Sequence, residues 1–72
     1  MASGYSEGDE VKWDWGNGTA TGTIEKVYTR KTTRKIDGNE VTREASDDEP
    51  AYYIKQEDGG ELLKSHSEVS KK

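Results

Sequence analysis

A chain of 72 residues with a net charge of −4 and no cysteine is one domain that must fold without disulfides, thiolate metal ligands or a cysteine nucleophile. Leu, Ile and Val together number nine and Phe is absent, so two Trp and four Tyr must supply much of the core. No cationic, apolar leader opens the chain and no apolar run approaches the roughly 18 residues of a membrane span, so the expectation is a cytoplasmic monomer away from membranes.

Residues 1–7 are polar apart from Tyr5 and are expected to be flexible. Glu10 to Trp15 alternates: Val11, Trp13 and Trp15 point one way, Lys12 and Asp14 the other. That period of two predicts a half-buried strand with Trp13 in the core. Gly16-Asn17-Gly18 turns the chain, because these residues tolerate positive φ. Thr19 to Lys35 is rich in Thr and β-branched residues and carries no 3.6-residue period, which predicts one long strand. Ala20, Gly22 and Ile24 share a face, and Val27 breaks the phase. A bulge near Glu25-Lys26 restores it and lets one strand serve two sheets. Gly22, inside the strand, marks a close approach, expected from a Trp ring.

Asp37-Gly38 is a hairpin signal. A two-residue loop there pairs Lys35 with Glu40, Thr33 with Thr42 and Lys31 with Glu44, all favourable, whereas a four-residue loop opposes Arg34 to Arg43. The ribbon reads as polar on both faces and is expected to project from the core. Ser46 to Pro50 is an acidic loop, Ala51 to Glu57 a strand with Tyr52 on the core side, and Asp58-Gly59-Gly60 a turn into Glu61 to Lys64. Ser65 to Val69 is expected to be a short turn that drops Val69 onto the core, and residues 70–72 to be a flexible end. The whole is all-β: five short strands, closed at this size as a small SH3-like barrel over residues 8–69 with a projecting β-hairpin.

Charge is segregated along the chain. Residues 1–25 carry −4, residues 26–43 carry +4 and residues 44–72 carry −4. Within the basic block, Lys26, Arg30, Lys31, Arg34, Lys35 and Arg43 could meet phosphates. Thr rather than aromatic residues lies between them, so base stacking is poorly served. The two-residue register sets Arg30, Arg34 and Arg43 on the face opposite the Lys–Glu pairs. Lys and Thr on an edge strand also guard against aggregation, which is the blander account.

Nothing in the chain assembles a catalytic group or a cofactor site. The one histidine, His66, lies near the end and reads as a solvated side chain without a partner. Asp47-Asp48-Glu49 lacks the ligand spacing and glycine of a calcium loop and reads as a solvated acidic loop. Gly16-Asn17-Gly18 precedes a strand and not a helix, so it cradles no phosphate.

The string Gly8-Asp9-Glu10-Val11-Lys12-Trp13, followed by Gly16-Asn17-Gly18-Thr19-Ala20 and Gly22, resembles the opening of the hypervirulence-associated TUDOR domain family. Val41-Thr42-Arg43, Ala45-Ser46, Pro50-Ala51-Tyr52, Leu63-Lys64 and His66-Ser67 resemble its later blocks in the same order. Asp48-Glu49 before Pro50 is more acidic than the family pattern. The resemblance implies a tudor-like barrel and supplies no ligand, since the family has no assigned biochemical activity. Tudor-type modules can hold a methylated Lys or Arg by cation–π attraction, and Trp15, Tyr28 and Tyr53 are the aromatics available for such a cage. Plain packing competes for the same side chains in a core without Phe. The function expected is therefore a non-catalytic binding or accessory module for a protein or peptide, with nucleic-acid association through the hairpin of residues 26–43 as the alternative.

Overall fold

The computed structural model describes residues 4–36 and 38–72. Residues 1–3 of the expected flexible start, and Asp37 of the expected hairpin turn, lie outside the described residues. Among the described residues seven strands form: β1 (Glu10–Trp15), β2 (Gly18–Tyr28), β3 (Thr32–Ile36), β4 (Asn39–Arg43), β5 (Ala51–Lys55), β6 (Glu61–Ser65) and β7 (Ser70–Lys71). A 3₁₀ turn, His66–Glu68, precedes β7. No described helix is long and apolar enough to cross a membrane.

The main sheet has the order β6-β5-β2-β1-β7 and does not close, so β6 and β7 are its edges. Gly16 takes φ +56 and starts the tight turn that sets Trp15 opposite Gly18. From there β2 pairs with β1 through Thr23 and with β5 from Thr23 to Tyr28. The register slips between Ile24 and Lys26, the bulge that the change of hydrophobic phase at Val27 demands. Gly22 lies where that strand is most crowded. A Cβ there would sit 2.5 Å from Ile54 Cγ2, 3.0 Å from the Lys55 carbonyl oxygen and 3.3 Å from the Trp13 ring. Ile54, more than the expected Trp, makes glycine obligatory.

The core has two parts, one on each face of β5. On one face Val11, Trp13, Ile24, Tyr52, Ile54 and Val69 are buried together, with Tyr5, Ala20, Val27 and Leu62 at their margin. Trp13 is 4% exposed, and Val69 is dropped inward by the 3₁₀ turn as its spacing requires. On the other face Ile36, Ala51 and Leu63 are buried, flanked by Tyr28, Val41, Ala45 and Tyr53.

That second cluster corrects two expectations. The segment from Thr19 to Lys35 is not one strand: it bends at Thr29–Lys31, where the Thr32 hydroxyl donates to the Arg30 carbonyl. Nor does the hairpin project with two polar faces. Its register is the expected one, with Lys35 opposite Glu40 and Thr33 opposite Thr42, and it runs from Ile36 opposite Asn39 to Thr32 opposite Arg43. Lys31 lies just outside the paired residues. The face that carries Ile36 and Val41 is laid onto Ala51 and Leu63. Two apolar residues on one face suffice, because leaving them in water on a two-stranded ribbon would forfeit its only burial.

The ends are also engaged. The Gly8 N–H donates to the Ile24 carbonyl, and the Tyr5 N–H donates to the Tyr52 hydroxyl. Ser70 and Lys71 pair with Lys12 and Val11, beyond the boundary drawn at residue 69.

Candidate functional site

Of the three cage candidates, the fold brings two together. Tyr28 ends β2 and Tyr53 sits in mid-β5, both on the face covered by the hairpin. Between them lies a cation from the chain itself. Arg34 Nη1 donates to the Tyr28 hydroxyl at 3.0 Å, and its guanidinium stands 4.6 Å from the centre of the Tyr53 ring. The Glu61 carboxylate beside the Tyr53 hydroxyl pushes that phenol above its ordinary pKa, with burial adding to the effect. The notch where a foreign cation would rest is thus filled by Arg34.

Trp15 is elsewhere. It sits opposite Gly18, whereas Tyr53 sits opposite Lys26, so roughly 25 Å of β2 separates them. It is 73% exposed and is the one large hydrophobic side chain of the described residues left in solvent. Along the outer edge of β1, the 3₁₀ turn swings away and opens a cleft of about 280 Å³ that Trp13, not Trp15, lines. Lys12, Asp14 and Thr19 line one side, and Ser67, Glu68 and Ser70 the other.

The three arginines assigned to a phosphate-binding face also part company. Arg30 is exposed at the bend. Arg34 is turned inward as described. Arg43 Nε donates to Glu68 Oε1 at 3.1 Å, and its Nη1 donates to the Thr42 carbonyl. Glu68 also accepts the Ser65 N–H at 2.8 Å and stands 3.9 Å from the Lys64 ammonium. Partial burial pushes the Glu68 carboxyl up, but the Ser65 N–H, Arg43 and Lys64 outweigh it, and the group is held below its ordinary value. Arg43 and Glu68 therefore fasten the hairpin to the 3₁₀ turn.

His66 differs from its expectation as a solvated side chain. Its ring lies 5.0 Å from the Tyr5 ring, and its Nδ1 is 2.8 Å from the Tyr52 hydroxyl. The Tyr5 N–H already donates to that hydroxyl, so the phenol proton is free to donate to Nδ1. Burial raises the Tyr52 pKa. The partner was hidden because Tyr52 and His66 belong to elements that meet only through the fold. Arg34 was more legible, since the paired register already placed it with Ile36 and Val41. Among the described residues no group of three or more His, Asp or Glu could hold a metal ion.

The family of the hypervirulence associated proteins TUDOR domain has a model that matches residues 8–69. Neither the curated proteins nor the solved structures contain a match to this chain.

Proposed function

Because the chain belongs to the hypervirulence-associated TUDOR domain family, we propose that it is a non-catalytic, monomeric binding module for a protein or peptide partner. Its strand order, with a 3₁₀ turn before a last strand that returns to β1, fits an SH3-like barrel left open between β6 and β7, with the hairpin inserted between the second and third barrel strands. The observation that carries the reading is Trp15. A tryptophan 73% exposed at the end of β1 is an anchor of the kind that dominates protein interfaces. Tyr28 and Tyr53, satisfied by Arg34, serve packing and leave Trp15 as the free aromatic.

Affinity selection from a random peptide library on the immobilised chain tests this. Enriched peptides should quench Trp15 fluorescence and lose at least about tenfold in affinity against Trp15→Ala, the scale of a 1.4 kcal/mol contact. Peptides that bind Trp15→Ala equally well, or no enrichment at all, would remove the reading. The nucleic-acid alternative rests on the +4 block. With Arg34 and Arg43 committed internally, Lys26, Arg30, Lys31 and Lys35 remain exposed to carry it.

A further inference from the structure

β1 is longer than its outer partner. The ladder to β7 holds Val11 opposite Lys71 and Lys12 opposite Ser70, and the Lys72 N–H donates to the Glu10 carbonyl. Backbone groups of an antiparallel strand alternate in direction, so the even-numbered residues of β1 face β7. After Ser70 the chain leaves the edge, because Val69 must turn into the core and residues 66–68 coil into the 3₁₀ turn. The N–H and carbonyl of Asp14 are therefore aimed at an edge where no described residue pairs with them, beside the cleft.

The geometry points to strand addition at this gap: an extended peptide from a partner protein pairs with Asp14 and continues the line of β7 towards Trp15. The inference rests on the peptide-binding reading above and specifies how the peptide is held. Main-chain hydrogen bonds to an open edge give affinity, and alternate side-chain positions give specificity. Here the two faces differ in chemistry. Asp14 points to the cleft side, and no described residue forms an ion pair with its carboxylate, whereas Glu68 across the cleft is already held by Arg43 and Lys64. Trp15 points to the opposite side and offers an exposed ring. A strand laid here meets the one carboxylate of the cleft without an ion pair, Asp14, on one face and the exposed Trp15 ring on the other. The fitting occupant is a segment that alternates cationic and apolar side chains. The edge stays unpaired in the free chain because it is short and carries an exposed charge, two devices that discourage self-pairing.

The probe is the peptide Ac-Lys-Val-Lys-Val-Lys-Val-NH₂, with Ac-Lys-Lys-Lys-Val-Val-Val-NH₂ of equal composition as control, each added at about 1 mM to the isotopically labelled full chain, a level that populates even weak complexes. The alternating peptide should slow exchange of the Asp14 amide by at least about tenfold and change Trp15 fluorescence, and the control should do neither. Asp14→Lys should transfer the preference to Ac-Glu-Val-Glu-Val-Glu-Val-NH₂. Equal binding of the control would mean charge attraction alone and would overturn strand addition, as would a failure of the alternating peptide to bind. Library-selected peptides that quench Trp15 but leave the Asp14 amide exchanging freely would overturn strand addition while the binding-module reading stands.

Discussion

Tyr52 has no exposed surface, yet its hydroxyl meets two partners, the Tyr5 N–H and His66 Nδ1. Removing one oxygen would strand both groups. Tyr52→Phe is expected to cost about 1–2 kcal/mol, read as a lower denaturant midpoint at unchanged slope. Burial raises the pKa of the phenol in the fold relative to its ordinary 10.0. The neutral form is thus favoured by folding, and the stabilisation is complete below pH 10 and lost as pH rises beyond it. Wild-type stability should fall above pH 10, and Tyr52→Phe should flatten that limb. An alkaline profile unchanged by the substitution would place the titration elsewhere.

Among the elements, the 3₁₀ turn is held at both ends by Glu68, which accepts from Ser65 and pairs with Arg43 of β4. The carboxyl is held below its ordinary 4.5, so folding favours the charged form. Its stabilisation is present above pH 4.5 and lost as pH falls below that. Glu68→Gln should cost under about 1 kcal/mol at neutral pH, because the pair is partly exposed and screened. The same variant should lose less stability than wild type between neutrality and acid, and a parallel acid limb for the two proteins would refute the role. These contacts show what the sequence could carry. Alternation placed β1, the Gly16 turn, the β2 bulge and the hairpin register, since each depends on neighbours a few residues apart. The bend at Thr29–Lys31 and the inward face of the hairpin were not legible: Ile36 and Val41 are diluted by charged neighbours, and their partners Ala51 and Leu63 come later in the chain. For the same reason Trp15, Tyr28 and Tyr53 looked alike in sequence, and only the strand pairing separates the exposed one from the two that clasp Arg34.

For the molecule as a whole, Trp13 joins β1, β2 and β5, and its loss would open a cavity in a domain with few large side chains. Trp13→Ala is expected to cost about 3–5 kcal/mol. A chain of this length has roughly 4–11 kcal/mol in total, so the variant should be largely unfolded at 25 °C by circular dichroism. A near-wild-type cooperative melt would contradict the position of Trp13. Charge at this scale also bears on the alternative function. With Arg34 and Arg43 held internally, single- and double-stranded DNA and RNA should show no measurable anisotropy change at about 50 mM salt, where electrostatic binding is favoured. Clear binding that steepens as salt is lowered would restore the hairpin as a nucleic-acid surface.

β5 is buried on both faces, and that sets an order in time. The β3–β4 ribbon is local and can close in about 1–10 μs, but Ile36 and Val41 have no surface to dock on until β5 is in place. β5 must first reach β2 across the intervening hairpin and loop, a pairing distant along the chain and therefore slow. The barrier to folding should lie at that encounter, with the ribbon settling afterwards. In stopped-flow chevrons, Ile54→Val should mainly slow refolding, whereas Val41→Ala should mainly speed unfolding. The reverse pattern would make the ribbon the nucleus.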